Sequence, residues 1–104
     1  MIEITLRKKD KSLKLNSRGH SELAPTGQDI LCAGVSAGLQ MIEVGINGVL
    51  DLKKKIEKKK GFFETPWIQD EKAEILIISF FRTAQVLQKS YPNRINTSLI
   101  IEND

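Results

Sequence analysis

The run Ile75-Leu76-Ile77-Ile78-Ser79-Phe80-Phe81 is apolar nearly all round and lies between Asp70 and Pro92. No other feature restricts the fold as much. Over seven residues, periodicity cannot separate a buried strand from a buried helix. The flanks decide. Asp70, Glu71 and Glu74 put negative charge where a helix N-terminus favours it, and Pro92 ends the segment. A helix over Glu71–Ser90 follows. A helix apolar on more than one face must be covered on more than one face. In a chain of 104 residues that suggests a partner subunit.

The remaining elements arrange themselves around this helix. Ile2, Ile4 and Leu6 alternate with Glu3, Thr5 and Arg7, the period of a half-buried strand. Lys8-Lys9-Asp10-Lys11 suits a turn, and Leu13 and Leu15 begin a second strand that runs to about Arg18. A short connection makes the two antiparallel. Ser21–Gln28, with Pro25 and Gly27, reads as a surface loop. Leu31, Val35, Leu39, Ile42, Ile46 and Val49 then form one stripe at three-or-four spacing, predicting a helix from about Gln28 to Val49. Ala33, Gly34, Ala37 and Gly38 on that helix are small enough for close packing. Lys53–Lys60 either continues the helix or forms an edge strand paired across Gly61 with Phe62–Ile68; the hairpin is preferred, with Lys guarding the edge. Pro66 implies an edge position, a bulge or an early stop in its strand. Asn93–Ile101 is a last strand.

Length and composition match a single domain spanning 1–104. One Cys excludes a disulfide framework and any multi-cysteine zinc site, and one His excludes a His-rich metal cluster, so no cofactor and no metal are expected. No unbroken apolar stretch reaches ~18 residues, so no membrane span is expected. Met1–Leu6 lacks the layout of a signal peptide, which makes a reduced, cytoplasmic setting the expectation. Residues 1–60 carry twelve Lys/Arg against seven Asp/Glu, whereas 61–104 carry four against six. The basic half is either a solvated face or a surface for an anionic partner such as RNA.

Both the single His and the single Cys fall in Gly19–Ser36. His20 sits where the second strand ends, and Cys32 in the first turns of a helix. The loop between them can fold His20 back over the helix start. Thiolate is the nucleophile in acyl transfer, and a helix N-terminus and a neighbouring imidazolium both favour it. His20 would hold the ion pair and then protonate the leaving amine. Backbone N–H groups at the helix start are suited to an oxyanion. Asp29 is placed to orient His20, cap the helix or order the loop, and Ser36 lies one turn beyond Cys32. Each residue also has a plain structural reading. A lone helical Cys is commonly a small buried hydrophobe, Gly19 and Gly27 serve turns, and Phe62, Phe63 and Trp67 serve a core or interface.

Gly19-His20, an eight-residue gap, then Asp29-Ile30-Leu31-Cys32-Ala33 and Val35-Ser36 resemble the motif of the ribosomal-processing cysteine protease (Prp) family, approximately Gly-His-Ala, a Gly-containing loop, then Asp-Ile-Val-Cys-Ala-x-Val-Ser. The long helix closing on Ser90-Tyr91-Pro92 before a terminal strand is similar too. The resemblance implies a cytoplasmic endopeptidase that removes the N-terminal extension of ribosomal protein twenty-seven of the large subunit, cutting after paired aromatic residues. It implies Cys32 as nucleophile, His20 as general acid/base, and Gly19, Asp29 and Ser36 as supporting residues. It implies that the 21–28 loop is a flexible segment over the site. It also implies an α+β fold: an antiparallel sheet of four to five strands with two long helices, the helices contributing to a homodimer interface. Ser21, Leu31 and Gly34 stand where Ala, Val and Ala are commoner, and the Lys53–Lys60 run is more basic than the pattern requires. The competing reading is a non-catalytic, basic RNA- or ribosome-binding module.

Overall fold

A computed structural model describes residues 1–20 and 29–103. The expected loop over Ser21–Gln28 lies outside them. Along the chain run β1 (Ile2–Lys9), β2 (Ser12–Gly19), α1 (Ile30–Glu43) with a π-helical continuation (Val44–Val49), β3 (Glu57–Lys59), β4 (Phe62–Glu64), α2 (Glu71–Ser90) and β5 (Ile95–Glu102). The strands form one sheet in the order β3-β4-β2-β1-β5.

Alternation sets the sheet's two faces. Ile2, Ile4 and Leu6 of β1 and Leu13 and Leu15 of β2 are buried in one cluster with Leu31, Val35 and Ile42 of α1 and Ala73, Ile77, Phe80, Phe81 and Ala84 of α2. The opposite face is polar, where Asn16 Nδ2 donates to Glu64 Oε2 at 2.9 Å and Arg18 Nε to Asn16 Oδ1 at 3.2 Å. β1 and β2 are antiparallel, with Ile2 opposite Gly19 and Lys9 opposite Ser12.

The expectation of a purely antiparallel sheet fails at β5, which runs parallel to β1 with Ile2 opposite Ile95. β4 and β2 are antiparallel, as are β2 and β1, so β4 and β5 point the same way. α2 is the crossover between them, and a helical crossover returns the chain in its original direction. Asp70 caps α2 by accepting from the N–H groups of Lys72 and Ala73 at 3.0 and 2.8 Å. Of the apolar run, Ile77, Phe80 and Phe81 are buried within this chain, Leu76 and Ile78 are half-buried, and Ile75 is exposed. The fold itself therefore covers most of what suggested a partner.

The stripe on α1 holds as far as Ile46; Val49 is 76% exposed. The helix widens there, with Leu50 N–H bonding to Gly45 O, and the wider turn rotates Val49 out of phase. Ile30–Val49 also corrects the expectation about membrane-spanning length. Its twenty residues, with a mean hydropathy of 1.4, are long and apolar enough by composition to cross a bilayer, because small and weakly apolar residues fill the gaps between the Leu, Val and Ile. Here its Leu31, Val35, Ile42 and Ile46 belong to the domain core.

The Lys53–Ile68 hairpin forms but is shorter than expected. Positive φ at Asp51 and Lys53 breaks the helical path, and Asn47 holds the backbone of Lys54 through two hydrogen bonds of 2.7 and 2.9 Å. β4 stops before Pro66; it is interior to the sheet, and pairing resumes only at Ile68 opposite Leu13. Thr65, 1% exposed, accepts from Leu15 N–H at 3.0 Å.

Two glycines of α1 predict opposite stability changes. A Cβ at Gly38 would lie 2.6 Å from Cε1 of the buried Phe80 ring, whereas one at Gly34 meets nothing within 4 Å. Helix propensity favours alanine by about 1 kcal/mol at either site. At Gly34 that gain stands alone, and Gly34→Ala is expected to raise Tm by a few degrees. At Gly38, overpacking costs about 1–3 kcal/mol and outweighs the gain, so Gly38→Ala is expected to lower Tm. Thermal unfolding of the pair checks the sign at each position.

Candidate active site

His20 follows β2 directly, and Cys32 is the third residue of α1. The two elements bring them to one cleft of about 240 Å³, between α1 on one side and β2 with the β3–β4 hairpin on the other. Gly19, His20, Cys32 and Ser36 all line it. Ile2, Val35, Leu39, Phe62 and Phe63 give it apolar walls, and Gln40, Glu43, Lys58 and Lys59 add polar groups. His20 and Ser36 are exposed, and Cys32 is half-buried against the core.

The chain reaches this geometry through specific local contacts. Gly19 has φ +97°, in the positive-φ region that side chains rarely adopt, and it turns the end of β2 so that His20 leaves the sheet. Its N–H donates to Gly61 O at 2.9 Å. The Met1 amino group donates to His20 O at 2.5 Å. The backbone around the imidazole is therefore held from Met1 and from the hairpin.

Asp29 stands outside the cleft lining and is 8% exposed. It is the N-cap of α1, and its Oδ1 accepts from the backbone N–H of Cys32 at 2.9 Å. Of the three roles open in the sequence, the structure displays capping, and the cap is made to the cysteine itself. One consequence concerns the oxyanion. The Cys32 N–H is already used, so a donor from the helix start must be another group. Asp29→Ala is expected to cost about 1 kcal/mol through loss of the cap, whereas Asp29→Asn, an equal cap, is expected to stay within a few degrees of the parent Tm. Paired melting curves check this.

Sequence reasoning missed the lower end of the cleft. Glu43 Oε1 on α1 and Lys58 Nζ on β3 form an ion pair of 2.6 Å. Lys59 Nζ and the Arg18 guanidinium both lie over the Phe62 ring, 5.5 and 5.4 Å from its centre. Of the aromatic cluster, Phe63 is core, Phe62 is a cleft wall and Trp67 lies under Lys14 Nζ at 5.8 Å. Glu43 is the one charged residue of α1, and that was the one available signal. Among the described residues, no group of three or more His, Cys, Asp or Glu is placed to hold a metal.

The family model for cysteine protease Prp matches residues 1–96. The chain belongs to the Prp family of cysteine proteases. It is 29% identical to the ribosomal processing cysteine protease Prp of Bacillus subtilis, over 96% of this chain and all of that protein. Among solved structures it resembles the essential Prp of S. aureus in complex with a covalently linked product peptide, with a TM-score of 0.86, 22% identity, and 95% and 99% of the two chains covered. A Streptococcus mutans protein superposes with a TM-score of 0.74 at 24% identity, over 98% and 96% of the chains. The fold is thus shared with both of these solved structures. Membership also sets aside the reading of a binding module without chemistry.

Proposed function

We propose that this Prp-family protease removes the N-terminal extension of ribosomal protein twenty-seven of the large subunit, with Cys32 as nucleophile and His20 as general acid/base. The observation that carries the reading is that the single His and the single Cys, borne on different elements, line one cleft. The Cys32 thiolate attacks the scissile carbonyl carbon, forming a C–S bond. His20 donates its proton to the departing amine as the C–N bond breaks. Neutral His20 then takes a proton from water, whose oxygen displaces the thiolate from the thioester and releases the carboxylate product.

Supporting roles follow from placement. Asp29 fixes the backbone of Cys32, Ser36 presents a hydroxyl one turn along the same wall, and Gly19 sets the exit of His20 from β2. The apolar walls Ile2, Val35, Leu39, Phe62 and Phe63 suit an apolar or aromatic substrate side chain. The protein acts in the cytoplasm as a homodimer in this reading. An apolar groove of about 320 Å³ supports the second point; Met41, Val44, Val49 and Leu76 line it, and the first three are more than half exposed.

The test is direct. The purified protein is mixed with recombinant precursor of ribosomal protein twenty-seven, and intact masses are read beside a Cys32→Ala control. Loss of a single N-terminal fragment only when Cys32 is present is the expected result. A precursor left whole, with its extension shown to be accessible to another protease, rejects the substrate. Sedimentation equilibrium reads the dimer.

A further inference from the structure

We propose that Gly61, at the turn of the β3–β4 hairpin, is a positioning residue for the His20 imidazole. The inference rests on the reading of His20 as the general acid/base and deepens it. In many nucleophile–base pairs a third polar side chain orients the base. Among the described residues, no side chain hydrogen-bonds the His20 ring, and the natural candidate, Asp29, caps α1. The Gly61 backbone does lie against the ring. Gly61 has φ +72°, and a Cβ built there would fall 2.7 Å from Nε2, 3.2 Å from Cε1 and 3.4 Å from Cδ2 of His20. The imidazole thus rests edge-on over a bare Cα, and any Cβ there would push the exposed ring out of its present place.

The hairpin is well placed for this work. Gly61 O accepts from Gly19 N–H at 2.9 Å, which fixes the main chain one residue before His20. Phe62 is in register with Arg18 on β2. On its other side the hairpin is tied to α1, the Cys32 helix, through Lys58 and Glu43. One short element therefore touches the support of both reacting side chains. The ion pair is exposed, with 59% of the Lys58 side chain accessible, so it adds little, and the packing of Gly61 on His20 carries the effect.

Gly61→Asn is the informative variant, because asparagine tolerates positive φ while still adding a Cβ. A displacement of the base by about 1 Å is expected to lower kcat about 10²-fold, with KM changed less than threefold. The rate of Cys32 alkylation by iodoacetamide, followed against pH, should move toward the profile of His20→Ala. Parent-like kcat and alkylation in a folded Gly61→Asn protein would overturn the proposal. If the variant is too unstable to assay, Gly61→Ala is compared in parent and His20→Ala backgrounds. Removing the ring should make the loss in Tm smaller, the part due to positive φ remaining in both backgrounds, and equal losses in both overturn the packing argument. Full activity in His20→Ala alone would instead defeat the catalytic reading, and the Tm comparison would still report on the contact.

Discussion

Cys32→Ser is expected to abolish peptide cleavage, with kcat/KM lower by at least about 10³-fold, while the protein stays folded. The chemical reason is that a serine hydroxyl remains protonated and is a far weaker nucleophile without a base arranged for it. The structural reason is that the change is nearly isosteric. Cys32 is half-buried, and its backbone N–H keeps its bond to Asp29 whatever the side chain. The loss of stability should therefore be no more than about 1 kcal/mol, read as a few degrees in Tm. Melting curves and cleavage of the precursor, measured on one preparation, check both halves. Retained cleavage would remove Cys32 from the nucleophile's place.

Gly19→Ala is the other change expected to be severe, and for a different reason. A Cβ at Gly19 would lie 2.1 Å from the carbonyl oxygen of Met1 and 3.2 Å from its carbon. Both are backbone atoms, so no rotamer change relieves the clash. The φ of +97° adds strain for any side chain, of order 1–3 kcal/mol. Either the end of β2 moves away from β1 or the residue changes its φ, and both displace His20. A fall in Tm of about 10 °C or more is expected, together with a loss of activity of about 10²-fold. A parent-like Tm with full cleavage would mean that Met1, just before β1, yields without disturbing the site.

Much of this architecture could be read from residue order. The alternation in Ile2–Leu6 and Leu13–Leu15 predicted the hairpin, and Asp70 with Pro92 bracketed α2, because these signals are local. The direction of β5 was not readable, since Leu99, Ile100 and Ile101 look the same in a parallel as in an antiparallel strand. Direction was set by the helix before it. The widening over Val44–Val49 was also hidden, because the apolar spacing reads the same for an α-helical turn as for a wider one. That His20 and Cys32 would meet at one cleft was legible from the scarcity of both residues and their strand-end and helix-start positions. Gly61 was not recognised as part of the site. Its sequence signal, a glycine between Lys60 and Phe62, states only that a turn is there and is silent about the ring above it.

The placement of β1 has a consequence for how the protein comes into being. One edge of β1 pairs with its immediate neighbour β2, while the other pairs with β5, so that Ile2 faces both Gly19 and Ile95. The β1–β2 hairpin can close within microseconds of leaving the ribosome, but the far edge must wait for nearly the whole chain. Ile2 is a wall of the cleft, and Met1 is what Gly19 turns against. The cleft therefore takes its final shape only when β5 docks. Until then the segments that carry His20 and Cys32 exist, but the wall that Ile2 supplies between them and the sheet is not fixed, so the cleft is among the last parts of the fold to be completed.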